Sequence, residues 1–270
     1  MTFLYLLLFA LASAGLYAAL AAKVTLWALL GVFALGYLAA NLILLLLFAI
    51  NGLLLPKLRA DEGIEKQHKL SRWIVANGMH WLVGYSGCRA RISGLEKMPD
   101  GPFLFVCNHR SMLDPMLVAD KLQKYNISFV SKPSNLQIPI AGITARHTGY
   151  LAIDRENNRE ALKTILQAAD YLKRGVCNIG IYPEGTRSRT GELLPFHAGS
   201  FKIAQKAGVP VVVACVYYPR KRIFLQRKPV CLEILETIGT DRVRSLSTNE
   251  LADEASGLIR KRLDEVKERI

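Results

Sequence analysis

Proton-transfer chemistry first becomes possible in this chain at Asn108-His109-Arg110-Ser111-Met112-Leu113-Asp114, where an aspartate follows a histidine by five residues. The apolar run Phe103-Leu104-Phe105-Val106-Cys107 stops just before that histidine. A buried strand that carries a histidine to its carboxyl end, with a carboxylate near it, supplies a general base. The carboxylate then fixes the imidazole tautomer and stabilises the imidazolium. Asp114 has a second role open to it. With Pro115 after it, it reads as a helix N-cap followed by proline at N1. One residue can do both.

Three further positions could present cations to an anion. Tyr182-Pro183-Glu184-Gly185-Thr186-Arg187-Ser188 follows the apolar Ile179-Gly180-Ile181, and its proline and glycine force a turn. Arg187 and Ser188 would then offer donors, and a guanidinium suits phosphate geometry. Gly149-Tyr150-Leu151-Ala152-Ile153-Asp154-Arg155 reads as a strand ending in an arginine, and Lys132 follows the run Ile127 to Ser131. Each alone reads equally well as a surface turn with ordinary loop charges.

The elements that must position these groups alternate. Expected strands are 89–93, 103–107, 127–131, 149–153, 177–182, 210–217 and 229–235. Expected helices are 115–124, 136–146, 158–174, 199–207 and 249–268. Asn157 with Glu160 resembles a capping box, and Gly175 suits the end of the helix between them. The pattern predicts an α/β fold with a mixed, largely parallel sheet flanked by helices. Ligands in such sheets bind at the carboxyl ends of the strands, so His109, Arg155 and Glu184 would share one edge. Lys261, Arg262, Lys267 and Arg269 on the last helix read as a solvated face.

Charge divides the chain unevenly. Residues 1–55 hold one charge, Lys23, while the remainder carries 34 Lys and Arg against 22 Asp and Glu. The apolar block reads as two membrane-crossing helices, roughly 2–22 and 26–50, with a turn near Lys23, so that an N-terminal hairpin precedes the α/β domain. One long tilted span with a loose first segment is the alternative. A cleaved signal peptide fits poorly, since no basic residue precedes the run and more apolar sequence follows it. Lys57, Arg59, Lys66, Lys69 and Arg72 after the block predict a cytoplasmic side.

The division is then 1–55 membrane anchor, 56–88 basic amphipathic region and 89–270 α/β domain. Residues 64–85 read as a helix with Leu70, Trp73, Ile74, Trp81 and Leu82 as its apolar residues. It either lies in the membrane interface or packs on the core. Five widely spaced cysteines without a C-x-x-C pair suit a reducing compartment. The basic balance fits an anionic membrane surface, and no nucleic-acid-binding signature accompanies it.

A base with its carboxylate, phosphate-suited cations and a membrane block together suggest acyl or phosphoryl chemistry on a lipid phosphate. The sequence contains no P-loop, H-E-x-x-H or G-x-S-x-G motif. Direct transfer to a substrate hydroxyl is therefore simpler than a covalent enzyme intermediate. The other function class open is a membrane-tethered basic protein that binds anionic lipid.

The chain resembles the glycerolipid acyltransferases, above all the 1-acyl-sn-glycerol-3-phosphate (lysophosphatidic acid) acyltransferase family. Asn108, His109 and Asp114 match that family's N-H-x(4)-D box, and Tyr182 to Ser188 match its F/Y-P-E-G-T-R-S block throughout. Gly149 to Arg155 match a block between them, and Val209-Pro210-Val211-Val212 a fourth. Val213 stands where a second proline is common, and His197 where lysine or arginine is usual. The likeness runs from about residue 75 to 235 and leaves the apolar hairpin outside.

The resemblance implies that His109, oriented by Asp114, deprotonates the sn-2 hydroxyl of lysophosphatidic acid, which attacks an acyl thioester of acyl carrier protein or coenzyme A. Lys132, or backbone N–H groups near it, would stabilise the oxyanion. Arg187 and Arg155, with Gly185 and Thr186 in the turn, would hold the glycerol phosphate. Glu184 would position Arg187 or a substrate hydroxyl. No metal or bound cofactor is implied, and the enzyme would sit in the cell membrane with its catalytic domain in the cytoplasm. A different lysolipid or glycerol 3-phosphate as acceptor is the alternative within the class.

Overall fold

The computed structural model describes residues 2–21, 25–58, 62–188, 190–218 and 228–267. Lys23, Arg59 and Arg269, which enter the charge reading, lie outside them.

Two apolar helices open the chain, α1 (Thr2–Leu20) and α2 (Leu26–Leu54). The Thr25 hydroxyl caps α2 by accepting the Ala28 N–H at 3.2 Å. Both helices are long and apolar enough to cross a membrane, and Leu20, Trp27 and Leu54 are among many exposed apolar side chains. They form a hairpin in which Gly36 permits close approach: a Cβ there would lie 2.8 Å from the Ser13 Oγ.

The next helix, α3 (Lys69–Tyr85), starts later than expected because His68 is its cap, with Nδ1 accepting the Ser71 N–H at 3.3 Å. Before it the chain is irregular, and Ile64 is buried with its N–H on the Tyr171 hydroxyl at 2.9 Å. α3 runs antiparallel beside α2. Asn51 meets Ser71 at 3.1 Å, Asn41 meets Trp81 at 2.8 Å, and Tyr37 meets Tyr85 at 2.7 Å. The shared stretch of α2 is about 21 Å long at 1.5 Å per residue. The opposite side of α3 packs on α4 (Leu113–Lys121). Val83 is buried there with Leu117 and Val118, Ile74 is buried on the Ser71 and Trp81 side, and Leu70 and Trp73 stay exposed.

All seven expected strands form: β1 (Cys88–Ser93), β2 (Leu104–Cys107), β3 (Ile127–Ser131), β4 (Leu151–Ala152), β5 (Asn178–Ile181), β6 (Val211–Tyr217) and β7 (Lys228–Ile238). They make one sheet in the order β1-β7-β6-β2-β5-β3-β4. Only the β6–β7 pairing is antiparallel. Strands covered on both faces must be apolar throughout, which is why β2 and most of β6 read as continuous hydrophobic runs. Side chains alternate between two cores. Leu104 and Val106 join one with Ile179, Phe201 and Ile259, whereas Phe105 and Cys107 join the other with Leu117, Phe129 and Leu232.

The expected helix 136–146 is divided into α5 (Pro133–Leu136) and α6 (Ala141–Arg146). Pro139 disfavours a helical conformation before it and has no N–H to give, and Ile140 has φ +65°. α7 (Asn158–Lys173) begins on the Asn157 side chain, which accepts from the Arg159 and Glu160 N–H groups. α8 (Lys202–Ala207) follows a 3-10 turn over Ala198–Phe201. α9 (Thr240–Ser245) was not expected from the sequence, and α10 (Thr248–Lys267) was. α10 is not purely a solvated face. Leu251, Ala255, Ile259 and Leu263 are buried, and Arg262, half-buried at the edge of that face, pairs with Glu233 of β7 and with Glu265.

Candidate active site

Five adjacent parallel strands, β6, β2, β5, β3 and β4, end at one edge of the sheet, and the residues singled out from the sequence follow those ends, except Asp114, which lies in the first turn of α4. His109 follows β2, Glu184 to Arg187 follow β5, Lys132 follows β3 and Arg155 follows β4. With strands about 4.8 Å apart, Lys132 starts about 10 Å from His109.

Asn108 sets the direction in which His109 leaves the sheet. Its buried amide donates to the Val216 carbonyl at 2.9 Å and accepts the Val216 N–H at 2.8 Å, which extends the β2–β6 ladder by a side chain. His109 then turns out over the edge. Its N–H donates to Glu184 Oε1 at 2.5 Å, and its carbonyl accepts the Ser188 N–H at 2.8 Å. The imidazole stacks on Tyr182, with ring centres 4.3 Å apart, and Tyr182 stacks on Phe129.

His109 Nδ1 lies 2.9 Å from Asp114 Oδ2. With the carboxylate ionised, Nδ1 carries the proton and Nε2 is left as the base. The same Oδ2 accepts the Arg110 and Ser111 N–H groups, each at 2.7 Å, and the Tyr218 hydroxyl donates to Oδ1. Asp114 is fully buried, and four donors solvate its charge. It is not the N-cap of α4. That helix starts one residue earlier, at Leu113, and the N–H groups that Asp114 accepts belong to the loop before it. The aspartate fastens the loop that carries His109.

Glu184 also differs from expectation. Its two oxygens accept the N–H groups of His109 and Leu194, at 2.5 and 3.0 Å, and neither meets Arg187. Burial raises its pKa, against the two backbone donors that lower it. It therefore braces the His109 loop against the segment after the turn. Ser188 likewise has internal partners: its N–H goes to His109, and its hydroxyl accepts the Gly191 N–H at 3.1 Å. Neither group is presented to an anion.

Thr186 and Arg187 are exposed at the turn. Gly185 has φ +75°, and a Cβ on it would lie 2.6 Å from Arg155 Nη1 and 3.1 Å from His197 Cδ2. Arg155 and His197 thus converge on the turn that carries Arg187. Among the described residues, Lys132, Arg155 and Arg187 have no ion pair. Sequence reading missed Tyr218 and Arg110, whose guanidinium lies 5.9 Å over the Tyr218 ring. The available signal was that Tyr218 directly follows a strand, as the other site residues do.

The family described as Acyltransferase matches residues 89–217, which run from β1 to the end of β6. The 1-acyl-sn-glycerol-3-phosphate acyltransferases of Salmonella typhimurium and Escherichia coli are each 35% identical over 157 residues, 55% of this chain and 64% of theirs. The match thus spans a little under two thirds of those two proteins. The crystal structure of the 1-acyl-sn-glycerophosphate (LPA) acyltransferase PlsC of Thermotoga maritima shares the fold, with a TM-score of 0.59 over 85% of this chain and 97% of that one at 23% identity. The 1-acyl-sn-glycerol-3-phosphate acyltransferase of Haemophilus influenzae is 33% identical over 171 residues, 62% of this chain and 70% of that protein. By sequence and fold together, the chain belongs to the 1-acyl-sn-glycerol-3-phosphate acyltransferase family.

Proposed function

We propose that this chain transfers a fatty acyl group from a thioester, acyl-acyl carrier protein or acyl-coenzyme A, to the sn-2 hydroxyl of 1-acyl-glycerol 3-phosphate, giving phosphatidic acid. The observation that carries this reading is the His109–Asp114 contact at 2.9 Å on a sheet edge that also holds three cations, Lys132, Arg155 and Arg187, with no ion pair among the described residues.

His109 Nε2 takes the proton of the acceptor hydroxyl as its oxygen attacks the thioester carbonyl. Asp114 stabilises the imidazolium that forms. The carbonyl oxygen becomes an oxyanion, and a donor aimed at it is worth roughly 10²–10³-fold. Lys132 or backbone N–H groups beside it are the candidates. The intermediate collapses, the C–S bond breaks and the imidazolium returns its proton to the thiolate. Arg187 and Arg155 bind the glycerol phosphate, and the Gly185–Thr186 turn keeps them together. The residues named here complete this cycle with the two substrates alone.

The setting is a membrane. The exposed apolar faces of α1 and α2 suit lipid, and Lys69 and Arg72 flank Ser71, which touches Asn51 near the end of α2. Basic residues at that end favour the cytoplasmic side. A reporter fused after residue 60 is expected to read as cytoplasmic; a translocated signal would refute this orientation.

Radiolabelled acyl transfer by purified protein in vesicles tests the reaction, with both thioesters as donors and lysophosphatidate, other lysolipids and glycerol 3-phosphate as acceptors. Lysophosphatidate should be the preferred acceptor and His109→Ala should be inactive. Normal transfer by His109→Ala would remove His109 as the base. A preference for glycerol 3-phosphate would reassign the acceptor.

A further inference from the structure

The base and its carboxylate leave the partly buried Tyr218 side chain, which touches that carboxylate, without a role. It directly follows β6, the neighbour of β2 in the sheet, and is 104 residues from Asp114 in the chain. Its hydroxyl donates to Asp114 Oδ1, the oxygen that His109 and the two loop N–H groups do not use. It lies one residue beyond the segment matched by the family, so the shared motifs do not account for it.

We propose that Tyr218 is a positioning residue, a third member of the proton-transfer unit that acts on His109 through Asp114. This rests on the reading of His109 and Asp114 as the catalytic pair. Two physical arguments carry it. The first is geometric. Donors on both oxygens prevent the carboxylate from rotating about its Cβ–Cγ bond, so the Nδ1 contact, and with it the direction of Nε2, is held from two sides. Side chains that direct a catalytic group need such support from residues behind them.

The second argument is electrostatic. A donor on Oδ1 draws negative charge away from Oδ2, which weakens the hold of Asp114 on the imidazolium. Tyr218 therefore sets how basic His109 is as well as where it points. The other charged or titratable groups around His109 are Asp114 from α4, Glu184 and Tyr182 from the end of β5, Cys107 from β2 and Arg110 on its own loop. Of these, Asp114 is the one Tyr218 touches through a side-chain hydrogen bond that also reaches His109. The Tyr218 phenol is itself pushed upward, first by burial and then by Asp114, so it stays a donor across the working pH range.

The test compares native protein with Tyr218→Phe, which keeps the ring under Arg110 and removes the donor. The acid limb of the pH–rate profile should move to higher pH, because an Asp114 relieved of one donor holds the imidazolium more tightly. At neutral pH kcat should fall roughly tenfold, the scale of one hydrogen bond to a charged group. KM for both substrates should stay within about twofold, since Tyr218 binds neither. In an Asp114→Asn background the same change should move the acid limb far less, because no carboxylate charge remains to modulate.

Unchanged kcat and an unmoved acid limb in Tyr218→Phe would overturn the proposal, as would an equal shift of the acid limb in both backgrounds. Loss confined to KM would place Tyr218 in substrate binding instead. Should the phenylalanine variant fail to fold, 3-fluorotyrosine incorporated at 218 replaces it. Its hydroxyl is a stronger donor of nearly the same shape, so the acid limb should move to lower pH, and no movement overturns the idea. His109→Ala, run alongside, keeps the two readings apart. If it is inactive while Tyr218→Phe is normal, only Tyr218 loses its role; if it is active, the catalytic pair itself is wrong.

Discussion

Asp114→Asn is expected to separate the structural work of this residue from its chemistry. The carboxylate accepts three donors on Oδ2 and one on Oδ1. An asparagine carbonyl will take the Oδ2 position, because the Arg110 and Ser111 N–H groups and Nδ1–H all require an acceptor there. Its NH₂ then faces the Tyr218 hydroxyl, which can rotate to accept. Every hydrogen bond survives, Nδ1 keeps its proton, and the loop stays fastened. What is lost is a negative charge about 4 Å from the imidazolium. At an effective dielectric of about 20 that attraction is about 4 kcal/mol, and the remaining neutral hydrogen bond returns about 1 kcal/mol.

A net loss of about 2–3 kcal/mol lowers kcat roughly 30- to 150-fold. This is milder than the ~10⁴-fold effect known where an Asp→Asn change also imposes the wrong tautomer. Asp114→Ala is the contrast. It strands four donors, and each buried unpaired group costs about 1–3 kcal/mol, so stability should fall along with activity. The measurements are kcat at saturating lysophosphatidate and thioester, and Tm by circular dichroism for both variants. A kcat for Asp114→Asn within fivefold of native, or a Tm as low as that of Asp114→Ala, would refute the reasoning.

Tyr182→Phe should raise stability, because the Tyr182 hydroxyl is buried with no hydrogen-bond partner among the described residues, and such a group costs about 1–3 kcal/mol. The stack on His109 is kept, so kcat should stay within about twofold; a lower Tm would mean that the hydroxyl has a partner. Arg187→Ala should raise KM for the lysolipid at least tenfold with little change in kcat, as loss of one charge-assisted contact of about 1.5–3 kcal/mol requires. An unchanged KM would remove Arg187 from the phosphate site. Gly185→Ala meets both a left-handed backbone and the Arg155 guanidinium. It should cost about 1–2 kcal/mol of stability and raise KM for the lysolipid more than for the thioester, and equal effects on the two would argue against Arg155 as a phosphate ligand.

The strands were legible because strands buried on both faces must be apolar, and turn residues bound them. That is why Phe103 to Cys107 and Ile179 to Ile181 stand out in the sequence and form β2 and β5. The positions of His109, Glu184, Arg187, Lys132 and Arg155 followed from one rule about strand ends. The errors arose where a tertiary partner overrode a local pattern. Asp114-Pro115 looks like a cap, yet the donors that Asp114 satisfies lie before the helix. Glu184 sits three residues before Arg187, yet its partners are His109 and Leu194. The helix expected over 136–146 divides at Pro139 and Ile140, where the chain turns back beneath the end of α2: a Cβ on Gly52 would lie 2.6 Å from Ile140 Cγ2.

These errors have a common form, and it bears on how the site works. The five-residue spacing decides that His109 and Asp114 can meet. It does not decide the angle at which Nε2 is presented. That angle depends on three bonds between residues far apart in the chain. Asn108 joins Val216 across 108 residues, Glu184 joins His109 across 75, and Tyr218 joins Asp114 across 104. Two of the three come from β6 or its end, and the third from the turn after β5, the strands on either side of β2. The base is thus held by both neighbours of the strand that bears it. A change that loosens β6 from β2, such as Asn108→Ala, should therefore misdirect His109 while leaving every group in the local motif chemically able to react.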